Sequence, residues 1–478
     1  MKSNDANRIE GNNPDKSTIL VRGSVTRTLF AMAFPMLAGT FSMNAYNLTD
    51  TWFVAQLGTR PLAAMGFSFP VVMLLTFIAG GIGTGITTLV SHAIGRHDNR
   101  DASTLTTHGI MLTTVVTVVI SVAGYLLIRP VFLKLGASED MLPLIGDYMR
   151  TWYFGAIFMT LPMLGSGVLI STGDSKAASR FIILGTVLNI ILDPIMIFGY
   201  LGCPAMGIRG AALATVIARA VSALFLVYLL WKKHHLLTWA SWKAADYADS
   251  LRRITGFAVP SILSMVLMPI SSTVITKILS TFGNEAVAAG GAATRIEMFA
   301  FVIPMALGIS LTPFVSQNFG AGRQDRLREA QKLSTLFAIG YGIFIALILF
   351  AGAPWLASIF SEDPKVLHIL VQYIRIISFG YGMMEVHRYC GFFLTGMHKP
   401  SSTTVLNVIR VLVLLIPFSY LGAHYWGIVG LFSARLATDI LAGSIGLIWV
   451  LKVLAAADPI PRSTDGMQEL ACDECEQN

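Results

Sequence analysis

Long apolar runs constrain this chain more than any other feature. After a polar start, stretches of about 20 or more mostly apolar residues follow one another with short polar breaks, and a run of that length spans a bilayer as an α-helix. Hydrophobic residues make up 54% of the chain and charged residues only 13%, against roughly 25% charged in a typical soluble domain. An outer-membrane barrel would show short alternating segments instead. The sequence therefore predicts an all-α integral membrane protein.

We count twelve predicted spans, divided midway by the longest polar interruption, residues 232–253. The predicted organisation is an N-terminal tail (1–26), an N-lobe of six spans (27–231), this linker, a C-lobe of six spans (254–453) and a C-terminal tail (454–478). The spans cover residues 27–54, 63–91, 105–128, 142–170, 178–201, 207–231, 255–281, 288–317, 333–353, 366–395, 402–422 and 427–453.

The distribution of Lys and Arg predicts the orientation in the membrane. The termini, the linker and every second loop, together with the adjoining span ends, carry 21 of the 34 basic residues, whereas the opposite loops with their span ends carry six. Cytoplasmic loops are enriched in Lys and Arg, so both termini are expected in the cytoplasm of a cell-membrane protein. The net charge of +7 does not indicate nucleic-acid binding, because it is spread over short loops. Cys472 and Cys475 form a CxxC that we interpret as part of an ordinary polar tail.

The two halves of the chain repeat each other. One constant spacing relates Pro35 to Pro260, and the same spacing recurs over about 60 residues. Because six is an even number of spans, the two lobes have the same orientation, related by a pseudo-twofold axis along the membrane normal. The other matching pairs are Gly58 with Gly283, Ala63 with Ala288, Gly66 with Gly291, Gly83 with Gly308, Ser91 with Ser316, and Gly95 with Gly320.

Two acidic residues lie within predicted spans of the N-lobe. Asp50 ends a polar run on the first span that includes Asn44, Tyr46 and Asn47, and Asp193 follows Asn189 by one helical turn. Residues three or four apart share a helix face, and the proline after Asp193 frees a backbone carbonyl. Ionisable groups in hydrocarbon are costly and usually functional. Carboxylate, amide and carbonyl oxygens are hard ligands, so we expect a small cation or proton site here.

Several motifs resemble the multidrug and toxic compound extrusion (MATE) family. They are LGTRPLAAMGFSFP, TGDSK and LNIILDPIMIFGYLGCPAMGIRGAALAT in the first half, and FGNEAVAAGGAATRI and SQNFGAGR in the second. The resemblance covers about residues 25–455 and includes Pro35 early in the first span. It implies an antiporter that exports organic cations and other drugs against sodium or protons.

The resemblance also implies particular site residues. The DNA-damage-inducible branch of the family has an Asp on span 1 and an Asn-x-x-x-Asp pair on span 5, which Asp50, Asn189 and Asp193 match; these three are the candidates for holding Na⁺. The branch adds a Thr on span 6, matched by Thr215, and a Tyr on span 4, for which Tyr148 is the better candidate and Tyr153 the rival.

A substrate cavity is expected between the lobes. Met adapts to irregular apolar ligands and aromatic faces attract organic cations. The residues predicted to line this cavity are Met43, Asn44, Tyr46, Asn47, Met163, Met265 and Glu385. We interpret two further charge pairs of the C-lobe, Glu385 with Arg388 and Arg435 with Asp439, as structural.

The predicted function is therefore an ion-coupled exporter of organic, cationic or amphipathic molecules, acting as a monomer in the lipid bilayer without a cofactor. A lipid-linked glycan or lipid flippase of similar architecture is the alternative. The sequence does not choose between Na⁺ and H⁺ as the coupling ion. No metalloprotease, Walker or other catalytic motif indicates an enzyme.

Overall fold

A computed structural model describes residues 20–238 and 244–456. Within these two ranges all regular structure is helical. The tail cysteines 472 and 475, as well as Lys243 of the linker, lie outside the described residues. The helices are α1 Val25–Gln56, α2 Thr59–Gly95, α3 Asn99–Leu126, α4 Ile128–Lys134, α5 Leu142–Ser171, α6 Ser175–Phe198, α7 Gly207–Tyr228, α8 Ala244–Ser280, α9 Asn284–Ala300, α10 Val302–Gly320, α11 Gln324–Ser358, α12 Pro364–Ile377, α13 Tyr381–Gly396, α14 Pro400–Val408 and α15 Ile416–Ala456.

The N-lobe consists of α1–α7. Here α2 and α7 both pack on α5, while α1 and α7 pack on α6. Its six long helices match the six predicted spans to within a few residues. The short α4 follows α3 and was not predicted, because seven residues are too few to cross a bilayer. A π-helical turn, Leu229–Lys233, extends α7.

The C-lobe contains the interruptions that the hydropathy pattern did not show. The predicted eighth span is a bent pair, α9 and α10, which meet at 56°. A short 3-10 turn, Ser378–Gly380, joins α12 to α13 within the predicted tenth span. The predicted linker is shorter than 232–253, because α8 already begins at Ala244.

The last two spans lie in one stretch of 57 residues, Pro400–Ala456, without a loop between them. At about 1.5 Å per residue this stretch would be over 80 Å long if straight, far more than the roughly 30 Å of hydrocarbon in a bilayer. Trp426 and Gly427 leave the helical conformation, and Gly427 has a positive φ of 62°. The chain therefore turns there, at the boundary predicted between the eleventh and twelfth spans.

The turns between helices repeat with the same spacing as the sequence. Gly58 and Gly283 both have φ of 107°. On the side of the molecule that carries both chain ends, which we call the tail side, His97 and Gly322 occupy equivalent turns, with φ of 60° and 68°. These equivalent backbone conformations extend the repeat to positions where the side chains differ.

The two lobes contact each other through their tail-side halves. Helix α2 packs on α8 and α10, and α1 packs on α10. Close approach depends on glycine, since a Cβ on Gly95 would overlap the carbonyl oxygen of Gln317, and a Cβ on Gly320 would overlap that of His92. The structure is therefore closed between the lobes on the tail side.

Candidate functional site

The predicted acidic site lies where α1, α6 and α7 meet. Asn189 on α6 donates its amide to the carboxylate of Asp193, one turn later, at 3.1 Å, and to the hydroxyl of Thr215 on α7 at 3.2 Å. Asn189 and Asp193 are almost completely buried, at 1% and 0% exposure. The two predicted helices thus present one continuous hydrogen-bonded group of side chains.

Helix α1 joins this group through Tyr46 and Asp50. The hydroxyls of Tyr46 and Thr215 are 3.3 Å apart. Asp50 is 6% exposed and lies within electrostatic range of Asp193. The structure therefore brings the predicted residues of three separate spans into one place.

Three buried oxygens of this group have no hydrogen-bond donor among the described residues. They are Oδ1 of Asp50, Oδ1 of Asn189 and Oδ2 of Asp193. A buried polar atom without a partner costs about 1–3 kcal/mol, and such atoms need an explanation. Carboxylate and amide oxygens suit a hard monovalent cation or a proton, so the three residues fit the predicted ion.

Of the two candidate tyrosines on α5, Tyr148 is the one near this group. It lies within electrostatic range of Asp50, Asp193 and Tyr46. Tyr153 instead packs against Gly124 of α3, so closely that a Cβ on that glycine would overlap its ring. The geometry therefore favours Tyr148 over Tyr153 as the span 4 member.

One residue beside the site, Arg219, had no role predicted from the sequence. The guanidinium of Arg219, one turn after Thr215 on α7, lies over the Tyr46 ring at 5.0 Å from its centre. No ion pair joins Arg219 to Asp50 or Asp193 within the described ranges. The sequence offered one indication of this position: Arg219 follows Thr215 by four residues, so the two side chains share one face of α7.

A cavity of about 530 Å³ lies between the lobes, bounded by α2, α5, α8, α10, α13 and α14. Of the predicted lining residues, Met163 and Met265 line it. The polar residues of α1 do not, because α1 packs on α6 and α10. Tyr46 contacts the acidic group instead, whereas Asn44 is half-buried and Asn47 is exposed. The predicted residues that lie outside the cavity wall are Met43, Asn44, Tyr46, Asn47 and Glu385.

The charged side chains that line the cavity are two arginines of the C-lobe. Arg388 pairs with Glu385 at 2.9 Å, as predicted from their spacing. Arg410 pairs with Asp439 at 2.7 Å. None of the described lining residues is Asp or Glu.

The predicted pair of Arg435 with Asp439 is wrong. Arg435 points to α9 and pairs with Glu297 at 2.7 Å, and Tyr373 donates to the same Glu297 oxygen at 2.7 Å. A spacing of four allowed the pair, but the side chains lean to different neighbours. Asp439 pairs with Arg410 instead. The indication in the sequence was that no acidic residue lies near Arg410 along the chain.

The comparisons with known proteins agree with this architecture. The MatE family model matches the chain twice, over residues 35–195 and 260–421, once in each lobe. This chain belongs to the MatE family. The double match confirms the internal repeat. MatE proteins are membrane transporters and not enzymes, which confirms that prediction as well.

Similar MatE proteins cover nearly the whole chain. An FAD transporter of Shewanella oneidensis is 36% identical over 424 residues, 89% of this chain and 94% of the relative. The probable multidrug resistance protein YoeA of Bacillus subtilis is 25% identical and covers 84% of this chain and 88% of its own. The crystal structure of the Vibrio cholerae MATE transporter VcmN in the bent form superposes with a TM-score of 0.86 at 30% identity, covering 90% and 97% of the two chains. The predicted fold of two six-helix lobes is thereby confirmed.

Proposed function

We propose that this MatE protein is a secondary active antiporter that exports small organic molecules in exchange for Na⁺ or H⁺. The observation that carries the proposal is the group of three donor-free oxygens on Asp50, Asn189 and Asp193. Two buried carboxylates with no ion-paired base in the described part of the chain repel each other when both are charged. A bound cation relieves this repulsion, so binding changes the relative stability of the N-lobe conformations.

Exchange follows if the two access states of the transporter differ in their affinity for the ion. The described state is closed on the tail side, and the inter-lobe contacts there must separate to give the opposite state. Ion binding between α1, α6 and α7 would let these helices pack together, and release would loosen them. The N-lobe helices that hold the acids include α1, which also packs on α10 of the C-lobe, so a change at the acids can reach the lobe interface.

The cavity between the lobes is the proposed substrate site. The predicted substrates are cationic or amphipathic drugs, and the names of YoeA and of the Staphylococcus multidrug export proteins MepA support drug export. A second candidate is FAD, because the Shewanella relative at 36% identity is named an FAD transporter. Membership of the MatE family favours export over the alternative of a lipid-linked glycan or lipid flippase.

We further propose that the chain acts as a monomer in the cell membrane with both termini in the cytoplasm. The excess of basic residues on the tail side supports this orientation. Closure on the tail side then separates the cavity from the cytoplasm.

Transport by the purified chain in liposomes tests the proposal. An organic cation dye and FAD are each loaded, and inward Na⁺ and H⁺ gradients are imposed separately. Efflux of either molecule that depends on one gradient supports antiport and identifies the ion. Efflux at the same rate with both gradients collapsed would contradict it.

A further inference from the structure

The C-lobe wall of the cavity combines two half-buried arginines with acidic partners that are completely buried. The side chain of Arg388 on α13 is 26% exposed, and that of its partner Glu385 is 1% exposed. The side chain of Arg410, on the π-helical segment after α14, is 16% exposed, whereas that of Asp439 is 0% exposed. A ligand in the cavity therefore meets the positive end of each pair.

The two acids do not line the cavity, and some guanidinium nitrogens of their arginine partners remain free to donate to a ligand. Asp439 accepts from Nη2 and Nε of Arg410 through one oxygen, at 2.7 and 3.3 Å. Nη1 of Arg388 lies 2.9 Å from Glu385 as an ion pair and donates to Sδ of Met305 at 3.7 Å. Nη1 of Arg410, along with Nε and Nη2 of Arg388, has no acceptor within the described part of the chain. Hydrogen bonds to Asp439 orient the Arg410 guanidinium, and the Glu385 ion pair together with the Phe301 ring, 5.2 Å away, positions that of Arg388. Such positioning reduces the entropy lost when the two groups bind a ligand.

A neutral donor accompanies the two arginines. Asn407 lines the same wall, and its Oδ1 is 3.0 Å from Nε2 of His387. Its amide nitrogen is a donor toward the cavity in the tautomer in which Nε2 carries the proton. Glu385 lies within electrostatic range of both arginines and of Asp439, which shows that the two ion pairs form one cluster.

The apolar part of the cavity wall suits an apolar body. Met163 of α5 and Met265 of α8 line the cavity on other helices than the arginines, whereas Met384 and Phe392 flank Arg388 on α13. Flexible Met side chains adapt to planar or irregular groups. A cavity with an apolar wall and a few convergent donors is typical of a small-molecule site. No described acid faces the cavity to attract an organic cation.

We propose that Arg388, Arg410 and Asn407 form an anion subsite that takes a phosphate group of the transported molecule, whose apolar body packs on Met163 and Met265. The subsite rests on the proposed export function, but its binding can be measured without transport. Arginine matches phosphate geometry because its planar fork donates two parallel hydrogen bonds. Glu385 and Asp439 act as positioning residues for the two arginines.

Riboflavin and flavin mononucleotide are matched probes, because they differ by one phosphate and share a fluorescent ring. Their binding to the purified chain is titrated by fluorescence at low and high salt. We expect the phosphorylated flavin to bind more tightly, and Arg388→Gln or Arg410→Gln to weaken its binding about tenfold or more, since a charge-assisted hydrogen bond contributes roughly 1.5–3 kcal/mol. Riboflavin binding should hardly change. Arg375→Gln, an exposed arginine outside the cavity on α12, is the matched control.

Removing one arginine leaves its acidic partner buried and unpaired, which destabilises the fold. The double variants Arg410→Gln/Asp439→Asn and Arg388→Gln/Glu385→Gln avoid this problem, because each removes both charges of a pair. They remove each ion pair as a unit and should lose the same phosphate preference. Equal weakening of both flavins, or no preference for the phosphate in the native chain, would overturn the subsite.

Two further measurements distinguish a lipid headgroup from a soluble organic phosphate, and binding at the subsite from transport. Dihexanoyl phosphatidylglycerol, a lipid headgroup phosphate, is added as a competitor; displacement of flavin mononucleotide assigns the subsite to headgroups, and its absence to soluble organic phosphates. Gradient-driven dye efflux without arginine-dependent flavin binding would overturn the subsite alone. Arginine-dependent binding without any gradient-driven transport would uphold the subsite and contradict the antiport.

Discussion

The hydroxyl of Ser316 on α10 donates to the carbonyl of Thr88 on α2 at 2.6 Å, which joins the C-lobe directly to the N-lobe. Ser316 is the repeat partner of Ser91, and both are completely buried. Ser91 donates within its own lobe, to Ser171 at 2.7 Å. One position of the repeat therefore stabilises a lobe, and the equivalent position stabilises the closure between lobes.

Adding a methyl group at Gly95 should open this closure. In Gly95→Ala the new Cβ would overlap the carbonyl oxygen of Gln317, and backbone cannot move aside cheaply. We expect a shift toward the state that is open on the tail side. Spin labels at Arg100 and Arg328, exposed positions on opposite lobes, should report a longer distance by pulsed electron resonance.

Gly340→Ala on α11 is the control, because a Cβ added at that glycine would have no neighbouring atom within 4 Å. Alanine is favoured over glycine in a helix by up to about 1 kcal/mol, so this variant should keep the native distance. An unchanged distance in Gly95→Ala would show that the glycine contact does not hold the lobes together.

Arg326 ties the segment before α1 to the C-lobe. Its guanidinium donates to the carbonyl of Leu20 at 3.0 Å and also to that of Gly23, and its Nε donates to Asn318 at 2.7 Å. We expect Arg326→Gln to cost about 2 kcal/mol of folding free energy, because hydrogen bonds from charged donors are lost. Hydrogen exchange should rise at residues 20–24.

Arg328→Gln, two residues along α11 and exposed, should change neither property. Equal exchange in the native chain and Arg326→Gln would contradict the proposed anchoring of the N-terminal segment.

The tail-side closure should weaken in acid because of His398. Burial, together with the nearby His92 and Arg253, lowers the pKa of this loop histidine to about 3. The ring also packs on His92, Phe257 and Phe319. An exposed histidine titrates near 6.5, so the open or unfolded state binds more protons between pH 6.5 and 3, and stability falls as the pH falls through that range.

Thermal unfolding of the native chain and of His398→Gln, compared between pH 7.5 and 5, measures this contribution. We expect the melting temperature of the native chain to fall more than that of the variant. Identical pH dependence of the two would show that His398 does not titrate with opening.

The sequence predicted the long helices and the acidic group well, because both depend on local patterns. Apolar runs determine the spans, and a spacing of four placed Asn189 and Asp193 on one face. The bend between α9 and α10 was missed, since hydropathy does not register a change of direction. Partners of Arg410 and Arg435 were missed as well, because they lie on helices distant in sequence.

Cysteine labelling tests the proposed orientation. In a chain whose native cysteines are replaced by serine, Lys243→Cys in the linker should react only from the cytoplasm. Lys365→Cys, at the start of α12, should react only from outside. Labelling of both from one side would contradict the twelve-span topology with cytoplasmic termini.

The coupling site is tested most directly by ion-driven efflux from liposomes containing the native chain, Asp50→Asn or Asp193→Asn. Asparagine is nearly isosteric and uncharged, so both variants should fold. Glu297→Gln, which removes a C-lobe acid outside the cavity wall, is the matched control. We predict that each N-lobe variant loses gradient-driven efflux while the control keeps the native dependence on the driving ion. If Asp193→Asn transports at the native rate with the native ion dependence, the N-lobe acids are not the coupling site.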